Sequence, residues 1–149
     1  MLEGIGIQTI GGVVAVMIGG EVTPLDCYVG LGYFEGDGVA LEQPIGALGC
    51  EYDVNENIRL FGEHLSSPAD GGDYPGMNHA GVKILFPTDP VTFYTGASYE
   101  LGSDLVNMDS PLVIAGVETN GDIRFYVEHV NSISDPGEGI THGGIKFFF

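Results

Sequence analysis

The sequence predicts an all-β protein, an eight-stranded antiparallel up-and-down β-barrel built from two four-stranded repeats. Three observations predict it. Eight segments of about 9–11 residues alternate with period 2, near 27–35, 44–52, 58–66, 77–86, 91–101, 111–119, 122–132 and 140–149. The connections between them alternate in kind. Those at 53–57, 87–90 and Asn120-Gly121 are short, whereas those around 36–43, 67–76, 102–110 and 133–139 are long and acidic. Finally, the chain repeats itself.

The repeat is legible residue by residue. Arg59-Leu60-Phe61-Gly62-Glu63-His64 returns as Arg124-Phe125-Tyr126-Val127-Glu128-His129. His79 through Lys83 returns as His142 through Lys146, and Tyr28-Val29-Gly30 as Tyr94-Thr95-Gly96. Glu51 has its copy in Glu118. All four Lys and Arg residues and all four histidines fall into these matched pairs. A period of roughly 65 residues is too long for a solenoid, whose repeats run to about 50, and suits a four-stranded unit.

Taken in order, residues 1–23 are apolar and Gly-rich and read as an N-terminal arm or one extra strand. They do not read as a cleavable secretory signal, because no Lys or Arg occurs before position 59. The barrel follows over 24–149, with repeats 24–86 and 90–149. Pro87 and Pro90 bracket the connection between the repeats, and Asn120-Gly121 has the composition of a two-residue type I′ hairpin turn. Cys27 and Cys50 leave a pairing open.

Sorting each strand by parity separates two faces. One, with Val29, Leu31, Leu60, Ile84, Phe93, Phe125 and Phe147, carries no full charge. The other mixes Gly and Tyr with Glu51, Arg59, Glu63, Lys83, Glu118, Arg124, Glu128 and Lys146. Two arrangements follow. In a water-soluble barrel the uncharged face fills the lumen; in a membrane barrel it meets lipid, and the charges form an ion-pair network inside. Confinement of every cation to one face, beside glutamates, fits the second arrangement, because buried carboxylates need partners. An eight-stranded barrel is just wide enough inside for side chains, so this lumen is plugged by the charge network, with His79 and His142 on the same face.

The composition narrows the function. The net charge is −17, with four Lys and Arg against 21 Asp and Glu. Nucleic acid is excluded as a partner, because phosphate contacts need clustered cations. Apolar residues make up 44% of the chain, which argues against disorder. No run approaches 18 apolar residues, so no transmembrane helix is expected. Asp37, Glu42, Asp70, Asp73, Asp104, Asp109, Asp135 and Glu138 place eight carboxylates in the long loops. Ca²⁺ there is conceivable from the ligand chemistry, but the spacing matches no EF-hand, and a solvated acidic rim able to meet a protein partner is the plainer reading. No motif for a redox cofactor, nucleotide or resident metal is present.

Tyr28-x-Gly30-x-Gly32-Tyr33 and Tyr94-x-Gly96-x-Ser98-Tyr99 resemble strands of small bacterial outer-membrane β-barrels. So does the final strand, Ile145-x-Phe147-x-Phe149, ending on Phe like the assembly signal of that class. The resemblance implies an outer-membrane location, with the lipid bilayer or lipopolysaccharide as partner and a structural or interaction role. Within the class, Glu63-His64-Leu65-Ser66-Ser67 and Tyr74-Pro75-Gly76-Met77-Asn78 resemble the lipid A deacylase family. That resemblance implies His64 as general base and Ser66 as nucleophile of an acyl-ester hydrolase, the His activating an otherwise poor nucleophile. Where the family has its orienting Glu, this chain carries Met77. A soluble virion or surface-decoration barrel is the third expectation, with the uncharged face inside.

Overall fold

The structure, a computed structural model, describes residues 6–10, 13–18, 21–36, 43–66, 77–103, 111–134 and 139–149. The strands β4 (Asp26–Gly36), β5 (Gln43–Asn55), β6 (Ile58–Ser66), β7 (Met77–Pro87), β8 (Val91–Ser103), β9 (Leu112–Thr119), β10 (Ile123–Ser132) and β11 (Ile140–Phe148) close into a barrel. Each pairs antiparallel with its chain neighbours, and β11 returns to β4, so no edge is left open. The eight-stranded up-and-down barrel is therefore the fold, with strand bounds within a few residues of those the alternation marks. The eight loop carboxylates, and with them the conceivable Ca²⁺ positions, lie outside the described residues.

Two local expectations change. The N-terminal stretch holds three short strands, β1 (Gly6–Ile10), β2 (Val13–Ile18) and β3 (Glu21–Pro24), paired antiparallel in a sheet of their own. In the sequence, Gly11-Gly12 and Gly19-Gly20 stand between them, and such pairs interrupt a strand. The β9–β10 turn is not type I′. Glu118 pairs with Tyr126 and Val117 with Val127, which centres the hairpin on Asp122 and makes the connection odd in length. Only Gly121 has a positive φ, of 110°, whereas a type I′ turn needs two. Cys27 and Cys50 sit directly opposite each other on β4 and β5 and form a disulfide.

The pleat assigns the faces. Every full charge within the strands whose burial is given, apart from rim residues Asp26 and Asp53, points into the barrel, and Lys83, Glu128 and Lys146 are almost wholly buried. Outside stand Val29, Leu31, Leu48, Ile84, Phe93, Leu101, Phe125 and Val127, among others, with Leu31 69% exposed. The uncharged face is thus the outer wall, and the arrangement with an apolar-faced lumen is not adopted.

The lumen is layered along the barrel axis. Near the long loops it is apolar, packed with Ile45, Ala47, Leu65 and Met77 and their repeat copies Leu112, Ile114, Val130 and Ile140. The charged residues occupy the rest. Aromatic rings need room beside them, and glycine supplies it. A Cβ on Gly49 would lie 2.5 Å from the Tyr28 ring, and one on Gly116 would lie 2.5 Å from the Tyr94 ring. Neither glycine can gain a methyl group without displacing a buried ring.

Gly49→Ala and Gly116→Ala are expected to destabilise the barrel by about 1–3 kcal/mol each through overpacking. Gly62→Ala adds a Cβ that meets only Ala80, at 4.0 Å, and should stay within about 0.5 kcal/mol of the parent. Chemical unfolding of the three variants measures the contrast.

Candidate functional site

The lumen network grows out of the strand register. Glu51 on β5, Arg59 on β6, Glu118 on β9 and Arg124 on β10 all point inward towards the short-turn end. Arg59 Nη1 lies 2.6 Å from Glu118 and 2.9 Å from Glu51. Arg124 Nη1 lies 3.0 Å from Glu118 and 3.1 Å from Glu51. Each arginine therefore bridges the two repeats. Arg59 also donates to Asp53 at 2.6 Å on the barrel's rim, and the Arg124 guanidinium stacks 4.0 Å from the Phe148 ring centre.

One layer deeper, the lysines cross between repeats. Lys83 Nζ donates to Glu128 at 2.6 Å, and Lys146 Nζ lies 3.6 Å from Glu63. Lys83 sits over the Phe61 and Tyr94 rings at 4.6 and 4.3 Å, and Lys146 over Tyr28 and Tyr126 at 4.5 and 4.6 Å. These ring faces stabilise a desolvated ammonium that has lost most of its water. Tyr28 donates its hydroxyl hydrogen to Glu63. His79 Nε2 meets Glu63 at 3.3 Å, and His142 Nε2 meets Glu128 at 3.2 Å. Exchange of the two repeats maps the lysine–glutamate, histidine–glutamate and lysine–ring contacts onto themselves, whereas the Tyr28–Glu63 bond has no counterpart at Tyr94.

Glu51, Glu63, Glu118 and Glu128 thus face the four cations of the lumen, and Glu100 points inward on β8 as well. The parity of the sequence locates these residues but does not reveal Asp53, which sits in a bulged stretch of β5 where the register shifts. The apolar plug under the long loops also escapes attention, because its residues are unremarkable in type and only their inward parity marks them.

On the outer wall, His64 and Ser66 share a face, two residues apart at the long-loop end of β6. The register sets His64 opposite Asn78, and His64 Nδ1 lies 2.8 Å from Asn78 Oδ1. Met77 pairs with Leu65 and is buried in the lumen, so it does not face His64. The group that orients the imidazole is therefore Asn78. With Asn78 Oδ1 accepting, Nδ1 carries the proton, and Nε2 presents its lone pair. In the second repeat, His129 Nδ1 meets Thr141 Oγ1 at 2.9 Å, and Asn131 stands where Ser66 does in the first.

Removing one partner of a buried pair leaves the other charge uncompensated. Lys83→Met is expected to cost about 3–5 kcal/mol. Adding Glu128→Gln should return most of that loss, and unfolding free energies of the two single variants and the double variant give the coupling.

No protein-family model and no curated protein matches the chain. The likeness of His64 and Ser66 to lipid A deacylases therefore rests on those residues alone. Solved structures do match. One, from work described as de novo design of transmembrane beta-barrels, is 18% identical and superposes with a TM-score of 0.57, over 84% of this chain and 94% of its own. Another, the solution NMR structure of the de novo designed TMB2.3, is 17% identical with a TM-score of 0.50, over 83% and 91%. At these identities the shared property is the fold, a closed eight-stranded antiparallel barrel.

Proposed function

We propose that the chain is a membrane β-barrel of outer-membrane type with a structural or interaction role, its wall in the bilayer and its lumen plugged. The observation that carries this reading is the inversion of the usual soluble pattern, with full charges buried inside and large apolar residues exposed outside. In water such a wall is a contiguous apolar surface far beyond what soluble monomers present. In a bilayer it is the required lining, since closure satisfies the backbone groups and the lipid meets only apolar side chains. The barrel strands, of 8 to 13 residues, have the length of tilted membrane-crossing strands. The packed lumen leaves no aqueous path, so the role is not conduction. The acidic loops are the surface offered to a protein partner.

The folded chain should need detergent and migrate differently on gels before and after heating. A monodisperse, unheated chain in plain buffer would refute the bilayer assignment. Leu31→Arg, near the middle of β4, should lose about 2–4 kcal/mol of folding stability in vesicles.

A second reading is favoured by the His64–Asn78 contact. Asn78 holds the imidazole in the tautomer a general base needs, with Ser66 two residues along the same strand face. In this reading the chain hydrolyses an acyl ester of lipid A. His64 takes the Ser66 hydroxyl proton as the oxygen attacks the ester carbonyl, and then returns it to the departing alkoxide. Water hydrolyses the resulting acyl-serine. Mass spectrometry of lipid A after incubation with the parent chain and with Ser66→Ala tests it. Loss of one acyl chain with the parent only is the expected result; an unchanged acyl count with the parent removes the reading.

A further inference from the structure

We propose that His64 and His129 bind the phosphate headgroups of anionic phospholipids, each at the mouth of an apolar trough on the barrel wall. This rests on the bilayer reading and names the partner at the wall. The starting point is where the bases are. All four Lys and Arg residues, together with His79 and His142, point into the lumen. With only four histidines in the sequence, His64 and His129 are the only side chains outside the lumen able to carry positive charge. The chain as a whole carries a net charge of −17.

The two histidines are repeat copies on β6 and β10, which stand four places apart in the closed barrel order and so on opposite sides of the wall. Their surroundings match. Leu48 and Asn78 flank His64 in register, and Ala115 and Thr141 flank His129. Along the strands the neighbours are Gly62 and Ser66, and Val127 and Asn131. Diagonal neighbours Gly46, Cys50 and Ala80, and Val113, Val117, Gly139 and Gly143, are uncharged too, Cys50 being held in its disulfide. Among the described residues, none of these flanking and diagonal neighbours is titratable. In each, Nδ1 meets a cross-strand neighbour, which leaves Nε2 as the atom for the phosphate in this proposal.

Beside each ring the wall is hollowed. Leu48, Cys50, Gly62, Ala80 and Leu101 line a trough of about 310 Å³ next to His64. Val113, Ala115, Asn131 and Ile133 line one of about 410 Å³ next to His129. An acyl chain lying in either trough brings its headgroup to the imidazole. A phosphodiester anion is the group that fits, since its negative charge favours and pairs with the imidazolium form, the proton coming from water, while the chain's excess of carboxylates repels it elsewhere. What the two repeats share is this headgroup contact, whereas Ser66 belongs to the first alone.

The test uses the full chain in phosphatidylcholine vesicles carrying traces of spin-labelled phosphatidylglycerol or phosphatidylcholine, with the motionally restricted fraction of each label measured. A preference for phosphatidylglycerol of about fivefold is expected near pH 5.5, falling towards none near pH 8. The double variant His64→Gln/His129→Gln should lose it. Gly62→Leu, which fills one trough and leaves both histidines, should lose part of it. A preference that is absent, independent of pH or unchanged in the double variant overturns the proposal. Heat-dependent gel migration of the same vesicles separates the two failures. An inserted barrel without preference sinks only the headgroup contact, and a chain that never inserts sinks the bilayer reading along with it.

Discussion

Ion pairing inside a closed wall is the constraint on which this structure depends. Eight strands leave a lumen too narrow for bulk water, so each carboxylate that points inward needs a cation within reach. Glu51, Glu63, Glu118 and Glu128 find theirs in Arg59, Arg124, Lys83 and Lys146, and the aromatic faces of Tyr28, Phe61, Tyr94 and Tyr126 complete the shell around the two ammonium groups. The same requirement explains why Gly49 and Gly116 are glycine. The rings that cover the lysines lie against the opposing backbone.

The ion pairs also tie the repeats together. Both lysines and both arginines reach a glutamate of the other repeat. A four-stranded half keeps the Arg59–Glu51 and Arg124–Glu118 pairs but leaves Lys83 and Lys146 without Glu128 and Glu63, which only the closed eight-stranded barrel supplies. Hydrogen bonding acts in the same direction, since pairing of β11 with β4 removes the last exposed edges. Closure and ion pairing are thus one cooperative condition.

The outer wall follows the opposite rule. It has given up charge almost entirely, and its polar groups concentrate at the long-loop end, where His64 meets Asn78 and His129 meets Thr141. Because every stronger base is committed to the lumen, these two histidines dominate what the wall can offer a ligand. The repeat has kept the imidazole on both sides while letting the residue two positions on diverge to Ser66 and Asn131.

The number of barrel strands and their approximate bounds are legible in the sequence, because period-2 alternation is a local signal that survives without coordinates. Parity likewise sorted Glu63, Lys83 and their copies onto one face. Alternation alone is symmetric under inversion, so the inward face is legible only through the confinement of the cations beside glutamates, and the closed barrel bears that reading out. The N-terminal sheet and the β9–β10 turn were misjudged because Gly-rich runs and Asn-Gly steps allow several backbones, and register chooses among them. Asn78 opposite His64, in place of Met77, was likewise settled by tertiary structure, because cross-strand partners depend on where neighbouring strands align and not on their spacing along the chain.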